Sequence, residues 1–292
     1  MKVVKLMVAG VVASVCVIAE SFREQLNFKV TRYSIQTPKM NRDAEPKKIV
    51  FLSDLHNHEY GKRNNRLMQA MIKEKPDLIL IGGDMLMGKE GVSPEPAWKL
   101  IRQLPRIAPV YYANGNHEQR MKEHPEKYGK TFSVYKRELE EAGIHFLENE
   151  SVIPELEGCP MRITGLELPS YTYAKMKKMT VLKENVEDMI GTYNPEYFQV
   201  LLAHNPTYYK AYKAWGADLV LAGHLHGGMA RIPGWRGVIT PQAFLFPKYS
   251  GEMTKEDGQT IVVSRGLGSH TVPLRLFNPP EVVVLNISGE EK

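Results

Sequence analysis

Five short apolar runs in this 292-residue chain each stop at once at an Asp, Asn or His. Ile49-Val50-Phe51-Leu52 gives way to Ser53-Asp54-Leu55-His56, Leu78-Ile79-Leu80-Ile81 to Gly82-Gly83-Asp84, and Val110-Tyr111-Tyr112 to Asn114-Gly115-Asn116-His117-Glu118. Residues 199–203 run into His204-Asn205, and residues 219–222 into Gly223-His224-Leu225-His226-Gly227-Gly228. Apolar runs this short, without polar alternation, read as strands buried on both faces, and such strands need other elements covering them. Helical spacing at Leu67, Met68, Met71 and Ile72 supplies one cover. Stretches near 96–104, 131–142 (stopped by Gly143), 180–190 and 206–214 supply others. Further strands near 144–147, 161–166, 260–264 and 282–287 make two packed sheets a better expectation than one. The fold class expected is α/β, layered, from about residue 47 onward.

Ligands in open α/β sheets gather at the carboxyl ends of the strands, so five such ends can converge on one spot. The residues placed there are Asp54, His56, Asp84, Asn116, His204, His224 and His226. Hard carboxylate and amide oxygens mixed with imidazole nitrogens, and no thiolate, suit Mn, Zn or Fe. Asp-x-His and His-x-His put both ligands on the same side of an extended segment. A lone histidine is more often a core or surface residue, and Asp-x-His alone is weak; the five blocks together, each at a strand end, carry the inference.

Composition narrows the classes. The hydrophobic fraction of 43% and charged fraction of 24% are those of a globular chain rather than a disordered one. The net charge of +5 comes without a dense basic block, and no basic track with interleaved aromatics marks a nucleic-acid site, so no specific nucleic-acid partner is expected. Two cysteines, Cys16 and Cys159, form neither a disulfide framework nor a zinc knuckle, and no Gly-x-Ser-x-Gly or reactive-cysteine context offers a protein nucleophile.

At the N-terminus, Lys2 and Lys5 precede an apolar or small-residue run over 6–19. Counted from Val3, with Lys5 reaching back to the interface, it is just long enough for a membrane anchor; it also suits a cleaved signal ending at Val17-Ile18-Ala19 or a buried helix of the domain. The segment 1–20 is expected to be the anchor or signal, 21–46 a connector with one strand over 29–35, and 47–292 the catalytic domain. The expected location is the cell membrane through this single segment with the domain outside the cytoplasm, or secretion after cleavage.

The five blocks resemble the calcineurin-like metallophosphoesterase superfamily over about residues 47–288. The segments His226-Gly227-Gly228, Arg231-Ile232-Pro233, Phe246-Pro247-Lys248-Tyr249-Ser250-Gly251, Ser264-Arg265-Gly266-Leu267-Gly268 and Pro280-Glu281 resemble its bacterial YkuE/YaeI-type phosphodiesterase branch. The resemblance implies a four-layer αββα sandwich of two mixed sheets flanked by helices. It implies two divalent metal ions, one on Asp54, His56, Asp84 and His226, the other on Asp84, Asn116, His204 and His224, with Asp84 bridging. His117 matches the histidine that assists the leaving group or transition state, and Glu118 its orienting partner. The implied activity is hydrolysis of phosphate esters, phosphodiesters first, by metal-activated hydroxide. Alternatives are a phosphomonoesterase or pyrophosphohydrolase acting on a lipid- or sugar-linked nucleotide, and an inactive binding scaffold. Two departures stand out: Met87 where an Asp is common, and Met229, a candidate for altered substrate contacts, where a Gln is common.

Overall fold

The computed structural model describes residues 2–177, 179–228, 230–232, 235–240, 242–269 and 274–290. Met229 lies outside them, so the expectation attached to it has no structural counterpart. Among the described residues, twelve strands form two six-stranded sheets. In chain order they are β1 (Lys29–Thr37), β2 (Lys47–Leu52), β3 (Leu78–Ile81), β4 (Val110–Tyr112), β5 (Ile144–Phe146), β6 (Ser151–Val152), β7 (Met161–Leu166), β8 (Phe198–Ala203), β9 (Leu219–Ala222), β10 (Met253–Glu256), β11 (Gln259–Val263) and β12 (Glu281–Gly289). The helices are α1 (Lys2–Gln25), α2 (Asn65–Glu74), α3 (Glu95–Ile101), α4 (Asn116–Glu123), α5 (Pro125–Tyr128), α6 (Thr131–Glu141), α7 (Lys183–Ile190) and α8 (Tyr209–Trp215).

The first sheet has the order β1-β12-β2-β3-β4-β5 and the second β10-β11-β9-β8-β7-β6. Both are mixed: β2, β3, β4 and β5 run parallel while β12 opposes β2, and β7, β8, β9 and β11 run parallel between two antiparallel edges. The period of two along each strand explains the layering. In β2, Ile49 and Phe51 face the second sheet, meeting Ile163, Val200, Leu202 and Leu221 in one buried cluster. Val50 and Leu52 face the other way, onto Leu67 and Met71 of α2 in a second cluster that also takes in Leu100 and Leu139. Leu201 and Val220 of the second sheet pack outward on Val186, Tyr212 and Trp215 of α7 and α8. The result is the expected αββα sandwich, and it brings the carboxyl ends of β2, β3, β4, β8 and β9 to one edge.

The expected strand over 29–35 is β1, which pairs in parallel with β12 from Lys29↔Glu281 to Thr37↔Gly289 and so forms the outer edge of the first sheet. Helix α1 continues past the apolar run as far as Gln25. Its last turn is docked on the domain: Ser21 and Glu24 are 5% and 3% exposed, while Val15, Val17, Ile18 and Phe22 are exposed. The side chains of residues 3, 4, 6–9, 11–13 and 16 lie outside the described set. Among the described residues no helix is long and apolar enough to cross a membrane, so the spanning reading of the N-terminus gains no support from the structure.

Candidate metal centre

The loops after the five strands are tied to one another by main-chain and side-chain bonds. The loop after β2 lies along that after β3: Asp54, His56 and Asn57 donate their N–H groups to the carbonyls of Gly83, Asp84 and Met85 at 2.9, 3.1 and 3.0 Å. The two sheets are joined where the His224 N–H meets the Asp54 carboxylate at 3.0 Å and where His204 Nδ1–H donates to the Gly82 carbonyl at 2.6 Å. Asp54, His56, Asp84, His224 and His226 all adopt left-handed backbone, with φ of 53, 47, 54, 66 and 49°. For non-glycine residues that conformation is uncommon and survives only where the surroundings impose it. Gly83 is needed for a plainer reason: at φ +89° a Cβ there would sit 2.1 Å from the Gly115 nitrogen.

All seven sequence-derived positions converge. Three groups of ligand atoms lie close enough to share an ion: Asp54, His56 and His226; Asp84, His204 and His224; and His56, Asp84 and His117. His56 Nε2 and His226 Nε2 are 3.1 Å apart, His226 Nε2 and Asp54 Oδ1 3.3 Å, and His204 Nε2 and Asp84 Oδ2 3.2 Å. Two donor atoms on one ion at about 2.0–2.1 Å, at about 90–110° to each other, stand about 2.8–3.4 Å apart. The observed separations fall in that range. Asp84 Oδ2 also lies 3.9 Å from His56 Nε2, which sets it between the two groups. Asn116 Oδ1 and His224 Nε2 are buried without a hydrogen-bond partner. A buried polar atom left so is costly, and a cation would satisfy both. The residues present therefore fit divalent ions. Carbonyls of Leu86 and Gly82 accept the Nδ1 protons of His56 and His204, which leaves Nε2 as the coordinating nitrogen in each.

The same crowding moves the proton affinities. Burial pushes the Asp54 carboxyl up to about 7, against the pull of His204. Burial acts on Asp84 in the same sense, but the facing His204 and His117 rings hold it well below the carboxylate range. Burial opposes a charge on His204, yet Asp84 and Asp54 raise its imidazole to about 10; burial and the neighbouring His204 lower His224 to about 3. At pH 7 His204 then holds a proton that a cation must displace, Asp54 holds part of one, and His224 none. Metal affinity is accordingly expected to rise with pH, with about one to two protons released per chain at pH 7. Calorimetric titration with Mn or Zn in two buffers of different ionisation enthalpy measures that number, and zero release would contradict these shifts.

One expectation about a neighbouring residue needs correction. Glu118 does not orient His117. Its fully buried carboxylate accepts the backbone N–H groups of Asp84, Leu86 and Gly115 at 2.8, 2.9 and 3.0 Å and the Tyr112 hydroxyl at 3.0 Å, clamping the loops after β3 and β4 together. His117 is oriented through Nδ1–H by the Met87 carbonyl, so the position lacking the common Asp serves through its backbone. Arg275 is 2% exposed and bonded to the carbonyls of Gly266, Gly268 and Asn278, which keeps it from the cavity. Arg265 donates to the Gly251 carbonyl, and Asn57 and His58 line no wall of the cavity described next.

A cavity of about 250 Å³ opens on the centre, with Asp84, Asn116, His117, His224 and His226 in its floor. Arg120, His124, Ser170, Tyr173, Lys175 and Gln242 are among the residues of its wall. None of the wall residues has a sequence signal of its own: they come from α4 and from loops whose approach depends on the tertiary fold. Tyr173 stands edge-on to His224, ring centres 5.1 Å apart, and Gln242 reaches the Thr172 and Ala174 carbonyls at 3.4 Å, holding two wall loops together.

The sequence model of the Calcineurin-like phosphoesterase family matches residues 47–228. The chain is similar along nearly its whole length to YpbG of Bacillus subtilis (strain 168), 25% identical over 295 residues that cover 97% of this chain and 98% of that one. A metallophosphoesterase of Aquifex aeolicus (strain VF5) is 27% identical over 274 residues, 93% and 96% of the two chains. Phosphodiesterase YaeI of Escherichia coli (strain K12) is 28% identical over 264 residues, 89% and 88%. With the family's match spanning both halves of the ligand set, and the whole set gathered at one sheet edge, the chain belongs to the calcineurin-like phosphoesterase family and is a metal-dependent phosphoester hydrolase.

Proposed function

We propose that the protein is a binuclear phosphodiesterase in which Asp54, His56, Asp84 and His226 hold one divalent ion and Asp84, Asn116, His204 and His224 the other. The observation that carries this is the place of Asp84 Oδ2, between His204 Nε2 at 3.2 Å and His56 Nε2 at 3.9 Å. Two ions so held would lower the pKa of a water between them and neutralise charge on the phosphoryl oxygens. The protein's own part is positional: Glu118 fixes the loops that carry Asp84 and Asn116, the Leu86 and Gly82 carbonyls fix two imidazole tautomers, and His117 faces the cavity to give a proton to the leaving oxygen. Similarity to a named phosphodiesterase supports diesters as the substrate class. A pyrophosphate-linked substrate is the second reading, favoured by Arg120 and Lys175 on the cavity wall, which suit a second anionic group. Rates on bis- and mono-nitrophenyl phosphates and on nucleotide-sugar pyrophosphates, each with Mn, Zn and Fe, test both. A monoester rate above the diester and pyrophosphate rates would sink them.

For location we propose a membrane anchor at the N-terminus. It rests on the apolar sequence over 6–19 and on the exposed Val15, Val17, Ile18 and Phe22 of α1. The full chain is expected to sediment with membranes and to need detergent for release. Recovery in the soluble fraction with its first residue intact defeats the anchor.

A further inference from the structure

The branch-specific tail and the end of α1 meet on one side of the centre, and neither has a role in the chemistry described so far. The Asn278 side chain, fully buried, donates through Nδ2 to the main-chain carbonyl of His226 at 2.6 Å. The Asn278 backbone N–H in turn donates to both oxygens of Glu24, at 3.1 and 2.9 Å. One turn earlier in α1, Ser21 Oγ accepts the Arg275 N–H at 3.2 Å. Arg275 completes the frame by bonding the Asn278, Gly266 and Gly268 carbonyls. The segment 266–268 lies directly on the centre: Gly268 N–H donates to the Asp54 carbonyl at 2.6 Å, and a Cβ on Gly266 would come 2.7 Å from the Asp54 Cβ and 3.2 Å from His226 Nδ1. Gly227 is left-handed at φ +70°, with the Asn278 amide oxygen 2.1 Å from where its Cβ would stand, so the loop carrying His226 is moulded to Asn278.

We propose that the last turn of α1 is a working part of the metal centre, with Glu24 as a positioning residue that holds His226 through Asn278. The inference rests on the reading of His226 as a ligand. Its physical basis is that a buried carboxylate on a backbone N–H fixes that peptide plane, and the plane fixes the direction of the amide that grips the His226 carbonyl. A left-handed ligand needs such outside support to keep its ring on target. Coupling of this kind is reciprocal: what loosens α1 weakens the ion beside His226, and an ion there tightens α1. The N-terminal segment then does more than tether the enzyme, because its attachment is sensed at the reacting centre.

The test measures metal affinity, not turnover alone. In the full chain, Glu24→Ala and Asn278→Ala are each expected to weaken one of the two Mn sites roughly 10–100-fold, as loss of a group supporting a ligand does, and to leave the other site nearly unchanged. The double variant is expected to lose little more than either single one, because both changes break the same chain of bonds. Glu24→Gln, which keeps one acceptor oxygen, should recover part of the loss. Should either alanine variant fail to fold, hydrogen exchange on the unaltered chain decides: adding Mn should slow exchange of the Asn278 amide and of the amides at the end of α1. Unchanged affinity at both sites in Glu24→Ala, additive losses in the double variant, or exchange at α1 indifferent to Mn would each overturn the relay. A wild-type chain that binds no divalent ion removes the metal centre itself and the relay with it. Two sites indifferent to Glu24 remove the relay alone.

Discussion

Asp84→Ala is expected to lose both ions and, with them, activity to background. The argument is geometric. Asp84 is 2% exposed, one of its oxygens is held by the His117 N–H at 2.8 Å, and the other is the atom that both ligand groups face. Removing it leaves His56, His204 and His117 turned toward a gap, with Asp54, 3.8 Å from His204 Nε2, as the remaining carboxylate there. Loss of one preorganised stabilising group costs about 10²–10³ in kcat. Loss of a group shared by two ions should cost at least that much. Metal content per folded chain, read beside the rate, is the check. Two ions retained in this variant would show that Asp84 does not join the sites.

His117→Ala separates three roles. If His117 gives a proton to the leaving oxygen, the variant keeps its metals. It then loses about 10²–10⁴ in kcat on alkyl phosphate esters and far less on nitrophenyl esters, whose leaving groups need no proton. The structure adds a reason to expect this pattern. The Met87 carbonyl takes the Nδ1 proton, so the nitrogen turned toward Asp84, 3.8 Å from its Oδ2, is Nε2. The competing role is ligation, since His117 also groups with His56 and Asp84 within reach of one ion. A ligand role predicts loss of an ion and equal damage to both substrate classes. Intact metals with equal loss on both classes would instead indicate charge stabilisation by a protonated ring.

Most of the sandwich and the whole candidate ligand set were legible in the sequence because each depends on local signals. β2 from Ile49, β3, β8 from Val200 and β9 are apolar on both faces, and the first Asp or His after each one is a candidate ligand. What escaped depends on long-range or main-chain interactions. The pairing of β1 with β12 joins residues some 250 positions apart, and nothing in Lys29–Thr37 advertises its partner. β6 and β10 are two and four residues long and partly exposed, so no periodicity marks them. Helix α4 starts on Asn116 itself, and its Asn-His-Glu-Gln-Arg stretch reads as a loop motif because its buried face is polar. Glu118 looked like a partner for the adjacent ring, whereas the donors it satisfies are backbone N–H groups that no side-chain pattern reveals. Asn278 and Arg275 carry no local sequence signal and lie in none of the tail segments. Their partners are carbonyls placed by the fold.

The left-handed backbone at Asp54, His56, Asp84, His224 and His226 bears on how such an enzyme can decay. Each non-glycine residue held in that region costs about 1–3 kcal/mol of folding free energy. Selection for turnover would keep that burden in place if these side chains hold the ions as proposed. Once a duplicated copy is released from catalysis, substitution by glycine or asparagine at these five positions relieves the burden and is favoured by stability alone. Inactive descendants of this scaffold should therefore gain heat resistance as they lose ligands, and the losses should fall on these five sites before His204, which is not among the strained ones. The order in which ligands disappear along a lineage would then follow φ rather than distance from the metal.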